Sequence, residues 1–250
     1  MLGPIVMRSL LIGLEKSMSE QVLTVEQRGE TTKVLRLNRP DRANAINEEL
    51  TRRLTEEIGE CYSDQTKLLI LEGEGKHFCS GFDRPSSSQE AQANPNVLGV
   101  KVEAMMQILA GAPCVTLVHS HGAAVGAGAE IVVACDYRCA TEDAMFMVPG
   151  FRLMGVSLGN SRLSQCIGPD QAMKMILQAE KIDCAKALEL GLVTDLVQTD
   201  ALDEFVTQLE QALETTSKSA LSSIKTSVHQ TNSRKSGSYA FEGPAYNASV

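Results

Sequence analysis

Residues 121–130 read His121-Gly122-Ala123-Ala124-Val125-Gly126-Ala127-Gly128-Ala129-Glu130, and this stretch decides the fold. Its glycines and alanines mark a turn that lets backbone approach backbone or ligand closely. A strand, Cys114 to Val118, precedes it, and an apolar helix from about Ala129 to Cys135 follows. Between Gly111 and Cys135, Glu130 is the only formally charged side chain, in the first turn of a helix otherwise built from Ala, Ile and Val. Burying a carboxylate there is costly unless it is paired, hydrogen-bonded or functional. Apolar burial raises a carboxyl pKa toward the range useful for proton transfer. The structural alternative has Glu130 favouring the helix N-terminus and reaching a nearby backbone amide. On spacing alone the two readings are evenly balanced.

A second small-residue loop, His77-Phe78-Cys79-Ser80-Gly81-Phe82-Asp83, follows the strand Leu68 to Leu71 and its Gly73/Gly75 turn. Two such loops, set face to face, can offer backbone N–H groups to one developing oxyanion. A dinucleotide site needs a third glycine after Gly126-Ala127-Gly128, and position 131 is Ile.

Working outward, Val34 to Leu37 reads as a strand ended by Asn38-Arg39-Pro40-Asp41. Asn47 can cap a helix whose Leu50, Leu54 and Ile58 share one face. Pro85 to Asn96 is polar and reads as a loop, and Val97 to Ala110 as a helix. Tyr137 to Ala140 is a short strand, and Pro169-Asp170-Gln171 opens a helix through Ala179. Asp183 caps Ala185 to Leu190, Gly191 stops it, and Leu192 to Val197 is a last strand. From Asp200 the pattern is helical only, through Leu213 and again from Ser219 to His229. Strands alternating with helices, then a helical tail, predict an α/β core with a helical appendage.

Composition narrows the partners. A net charge of −8 and the lack of a Lys/Arg cluster argue against nucleic acid. The absence of Trp, with four Tyr and six Phe, argues against base-stacking platforms. The seven cysteines form no CxxC pair and sit mostly in apolar surroundings, so neither a metal site nor a disulfide framework is expected. A reducing cytoplasm, or an organelle matrix, fits that usage. Residues 1–19 read as an extension whose apolar run, Leu10 to Leu14, is too short to span a bilayer, and no membrane insertion is expected.

Four ordered segments resemble the enoyl-CoA hydratase/isomerase (crotonase) family. Asn38-Arg39-Pro40-Asp41 through Asn47 is similar to its NRP…NA segment, and Phe78 to Asp83 to its F-C/S-A/S-G-x-D loop. His121-Gly122 through Glu130 is similar to its (N/H)G…GGG-x-E loop, and Ile182 to Val193 to its A-x-x-A-x-x-x-GLV element. The resemblance covers about 21–230 and implies a crotonase-like spiral of ββα units over 20–195, then a helical trimerisation region over 196–250. It implies an acyl-CoA thioester as ligand, no separate cofactor, and a homotrimer or dimer of trimers. The Phe82 and Ala127 N–H groups become the oxyanion donors, with Ala127 replacing the family's middle glycine, and Glu130 the acid/base. Arg42, Ala43 and Ala45 would flank the CoA nucleotide. Ser80, Gly81, Gly126 and Gly150 would line the acyl thioester.

One departure stands out. Family hydratases carry a second glutamate twenty residues after the first, following a proline. Here Pro149 is followed by Gly150, and no Asp or Glu occurs from Ala144 to Pro169. Hydration shares its proton work between two carboxylates, so a lone Glu130 implies weak hydration, double-bond shift, decarboxylation, thioester hydrolysis, or acyl-CoA binding with little turnover. His77, His119 and His121 are candidates for a replacement base. Cys79 lacks an evident activating base and is not read as a nucleophile.

Overall fold

A computed structural model describes residues 22–83, 95–233 and 245–246. The expected 1–19 extension and most of the polar loop at 85–96 lie outside the described residues; positions 95 and 96 already belong to a helix. Among the described residues, ten strands and nine α-helices follow in chain order, with a short eleventh strand at 245–246.

The main sheet has six strands: β1 (Leu23–Arg28), β2 (Thr32–Leu37), β3 (Leu68–Gly73), β4 (Val115–Ser120), β6 (Tyr137–Ala140) and β10 (Asp195–Leu196), adjacent in that order. Only β1 runs antiparallel to its neighbour; the others pair in parallel. Parallel strands are covered on both faces and so read as continuous apolar runs. Leu68-Leu69-Ile70-Leu71 shows why. Leu69 and Leu71 join Leu35, Leu37 and Val118 in the larger core. Leu68 and Ile70 join Val34, Leu117 and Cys139 on the opposite face.

The strands β2, β3, β4 and β6 are each followed by a short extended segment and then a helix. β2 leads through Ile46 to α1 (Glu48–Glu60), and β3 through Cys79 and Phe82 toward α2 (Pro95–Ala110). β4 leads to β5 (Ala123–Val125) and α3 (Ala127–Val133), and β6 to β7 (Met145–Met147) and α4 (Gly150–Met154). The short segments also pair with one another: Ile46 with Phe82, Cys79 with Ala124, β5 with β7, and β7 with β9 (Ile182–Asp183). They form a second layer, which carries the loops of interest. β8 (Val156–Ser157) pairs with β11 (Ala245–Tyr246).

The local signals explain the helices. Asn47 caps α1 by accepting the Leu50 N–H at 2.9 Å, and Leu50, Leu54 and Ile58 are all fully buried. After α5 (Asn160–Ile167) and α6 (Pro169–Gln178), Asp183 caps α7 (Cys184–Leu190), and Gly191 ends it at φ 78°. The strand expected over Leu192 to Val197 shrinks to Asp195–Leu196. The Leu192 and Val193 N–H groups turn back onto the Ala187 carbonyl to close the α7 C-terminus, so they cannot join the ladder.

The expected boundary between 195 and 196 falls inside β10. α8 (Leu202–Leu213) lays Leu202, Val206 and Leu213 on the outer face of the main sheet, in one cluster with Val34, Leu68 and Ile70. The first helix of the tail thus spends its apolar face on its own chain. α9 (Lys218–Ser233) follows, tied back by a 2.8 Å ion pair from Lys225 to Asp136. Among the described residues no helix is long and apolar enough to cross a membrane.

Asn44 fixes the entry to the second layer. It is fully buried at φ 54°, a left-handed conformation that Asn tolerates better than most residues. Its amide donates to the Glu74 and His77 carbonyls at 2.9 and 2.8 Å, and its Oδ1 accepts the Arg39 N–H at 2.8 Å. Three backbone groups from two loops therefore depend on one side chain. Asn44→Ala should lower the unfolding free energy by about 2–4 kcal/mol, because buried donors and acceptors lose their partner; urea unfolding measures it, and a change below about 0.5 kcal/mol would show that water replaces the amide.

Candidate functional site

Three loops converge at the top of the second layer. Ile46 donates its N–H to the Gly81 carbonyl at 2.7 Å and accepts the Asp83 N–H at 2.9 Å. That alternation turns the intervening Phe82 N–H to the side away from Ile46. Cys79 donates to the Ala123 carbonyl and accepts the Val125 N–H, which sets the 79–83 loop beside β5. Ala127 is the first residue of α3, where N–H groups have no intrahelical acceptor. Neither the Phe82 nor the Ala127 N–H bonds to a described residue.

Glycines make the approach possible. A Cβ on Gly81 would stand 2.8 Å from the Val125 carbonyl oxygen and 3.6 Å from the Ala127 nitrogen. A Cβ on Gly128 would stand 2.4 Å from the Cys79 carbonyl oxygen, so α3 can seat here only with glycine at its second position. Gly126, at φ 54°, faces the Gly81 Cα across the gap. Phe82 is half-buried and Ala127 buried.

The 39–47 loop borders the same gap. Ser80, exposed, donates its N–H to the Ala43 carbonyl at 2.9 Å and its hydroxyl to the Arg42 carbonyl at 3.4 Å. Arg42 is exposed, Ala43 takes a left-handed conformation at φ 48°, and Ala45 is buried with its carbonyl accepting from the Arg39 guanidinium. Arg39 also pairs with Asp83 at 2.6 Å, so Asp83 clamps two loops together.

Glu130 lies on α3 at 2% exposure, surrounded by core residues. Its carboxylate packs on Gly159, which caps α5 at φ 56°. Beside it is a second buried acid that the sequence reading did not single out. Glu103, at 1% exposure on α2, accepts Arg162 Nη1 at 2.9 Å and Nη2 at 2.8 Å. It also accepts the Gly159 N–H and the Gln107 amide, each at 3.3 Å. A signal for it existed: Glu103 is the lone acid of an apolar helix, flanked by Val102, Met105 and Met106, all buried. Its partner Arg162 lies 59 residues away, and spacing could not connect them.

Gly150 opens α4 with no carboxylate, next to Phe151, which packs on the core. The histidines are engaged with backbone. The His119 ring bonds the Val197 carbonyl at 2.8 Å and burial holds its pKa down; the His121 ring bonds the Gly75 carbonyl; His77 Nδ1 accepts the Ala123 N–H. Burial pushes the Cys79 thiol up to about 12, which leaves too little thiolate for a nucleophile.

The contact between Gly159 and Glu130 is directly testable. A Cβ at position 159 would stand 2.0 Å from Glu130 Oε2 and 2.9 Å from Arg162 Nη2. Gly159→Ala should lower stability by about 1–2 kcal/mol from the left-handed backbone alone, and should displace the Glu130 carboxylate. Thermal unfolding checks the first effect and a crystal structure of the variant the second; an unmoved carboxylate would contradict the contact.

Known proteins agree with this architecture. The family model for enoyl-CoA hydratase/isomerase matches residues 27–244. The 2,3-dehydroadipyl-CoA hydratase of Escherichia coli K12 is 30% identical over 217 residues, covering 85% of this chain and 83% of that protein. The ethylmalonyl-CoA decarboxylase of Mus musculus is 33% identical over 188 residues, covering 72% of this chain and 56% of that protein. Among solved structures, an enoyl-CoA hydratase from Mycobacterium smegmatis superposes with a TM-score of 0.75 at 26% identity, covering 86% of this chain and 88% of that one. With the family model spanning most of its length, the chain belongs to the enoyl-CoA hydratase/isomerase family.

Proposed function

We propose that the protein binds an acyl-CoA thioester and processes it through an enolate, with Glu130 as the single acid/base. One observation carries this reading: the only carboxylate of α3 is buried a single turn beyond the glycine-bearing gap between the 79–83 and 125–128 loops. The thioester oxygen would accept the Phe82 and Ala127 N–H groups. Glu130 would take the α-proton, and the C–H electron pair would pass into the enolate held by those donors. Return of the proton to another carbon shifts the double bond. Ser80, Gly81, Gly126 and Gly150 would border the acyl part, and Arg42, Ala43 and Ala45 the nucleotide. The recurring strand, short strand and helix support a spiral of ββα units.

Hydration is the least supported member of this set, because position 150 offers no second carboxylate. A decarboxylation is the second reading, favoured by the same feature. There the C–C bond to a 2-carboxylate breaks, its electrons enter the same enolate, carbon dioxide leaves, and Glu130 returns one proton to the α-carbon.

Glu130→Gln should lower turnover by about 10²–10⁴ while leaving thioester binding nearly intact, since Gln keeps the size of Glu but exchanges no proton. The assay panel is crotonyl-CoA, a 3-enoyl-CoA and a 2-carboxyacyl-CoA, with binding measured by calorimetry. A variant with an unimpaired rate would reduce Glu130 to a structural residue.

A homotrimer or dimer of trimers completes the proposal. Ile224 and Val228, four apart on α9, are each 57% exposed, while the apolar residues of α8 are covered by the chain's own sheet. Sedimentation should find a trimer or a multiple of it, and Ile224→Glu with Val228→Glu should shift it toward monomer; a wild-type monomer at micromolar concentration would refute the assembly.

A further inference from the structure

Arg162 lies between two buried acids. Its two terminal nitrogens grip Glu103 in a bidentate pair, with side-chain exposures of 14% for Arg162 and 2% for Glu103. Its Nη2 also stands 2.9 Å from the point where a Gly159 Cβ would be, and Glu130 Oε2 stands 2.0 Å from that same point. Guanidinium and Glu130 carboxylate are therefore near neighbours, and Gly159 lacks a side chain where the two meet. With two carboxylates and one guanidinium, the buried group carries one negative charge in excess when both acids are charged.

Both terminal nitrogens of Arg162 donate to Glu103, so the guanidinium is shared between the two acids rather than given to Glu130 alone. Glu130 thus faces a cation that a second anion also contacts. The other elements packed on α3 add little. α5 contributes Cys166, whose thiol burial pushes up, and the 79–83 loop contributes the neutral Cys79. On β4 the only titratable group, His119, turns to the Val197 carbonyl.

We propose that Glu103 and Arg162 are positioning residues for Glu130: Glu103 fixes the guanidinium beside the Glu130 carboxylate, and the charge balance of the pair sets the pH range in which Glu130 takes a proton from an acyl-CoA. The inference rests on Glu130 being the acid/base. It gives the chain an internal partner for that residue, drawn from α2, in a molecule whose 144–169 segment carries no acid.

The test reads proton transfer itself: exchange of the α-protons of butyryl-CoA with D2O, followed by NMR across pH 4–9. Glu103→Gln keeps the shape of the side chain and removes its charge, leaving the Arg162 charge to Glu130 alone. The folded-state pKa of Glu130 then falls, its basic form persists to lower pH, and the acid limb of the exchange profile should move down by about one pH unit or more. The double variant Glu103→Gln/Arg162→Gln replaces the ion pair by two amides, so that neither partner of the pair is left charged and alone. It removes the cation nearest Glu130, so its acid limb should move up. Glu130→Gln is run alongside. Exchange that survives Glu130→Gln overturns the acid/base assignment of Glu130. Exchange lost in Glu130→Gln, with acid limbs unmoved in both the single and the double variant, overturns the positioning role alone. If Glu103→Gln fails to fold, the double variant decides by the direction of its limb.

Discussion

The structure depends on how closely two loops can approach. The 76–83 segment runs along the 121–128 segment with backbone against backbone, and three glycines leave no room for anything else. A Cβ on Gly122 would lie 2.2 Å from the Lys76 carbonyl oxygen, on Gly81 2.8 Å from that of Val125, and on Gly128 2.4 Å from that of Cys79. Backbone oxygen atoms cannot swing aside as the tip of a side chain can, so a methyl group at any of these positions forces the layer apart. The α3 N-terminus is set by that contact, and with it the Ala127 N–H and Glu130. Gly81 and Gly122 also take positive φ, at 95° and 54°, so the same residues satisfy the turn geometry.

Around that contact, polar groups do the fastening. Asn44 holds three backbone groups, Arg39 joins Asp83, and the three histidines near the strand ends bond carbonyls or an N–H. This explains why residue types that commonly carry chemistry have structural work here. A histidine whose ring nitrogen is already bonded to backbone is a poor substitute for a missing base. Glu130 differs from them, because its neighbours across α5 and α2 are another acid and the arginine they flank.

That buried trio also has a structural cost and a structural use. Removing charge from water is expensive, and a bidentate pair with further donors on the carboxylate offsets much of it. Arg162 comes from α5 and Glu103 from α2, so the pair ties two helices together. An ion pair in that position fixes where α5 begins, and the Gly159 backbone above Glu130 is fixed with it.

The sequence by itself determined the α/β class, five of the six main-sheet strands along the chain (all but the edge strand β1), the capped helices and the two glycine loops. These are local matters: the apolar runs of β2 and β3, the Asn47 and Asp183 caps and the Gly191 stop each lie within a few residues of what they control. Glu130 was legible for the same reason, as one charge in a long apolar stretch. The short strands β5, β7 and β9 were not, because three or two residues carry no period and only pairing across the chain defines them. The shortened β10 and the folding of α8 onto its own sheet were likewise decided by contacts that local pattern does not encode. The Glu103–Arg162 pair is the clearest case. Glu103 in a sequence is one more acid on a helix, and only the packing of α2 against α5 turns it into the fixed neighbour of an arginine that in turn meets Glu130.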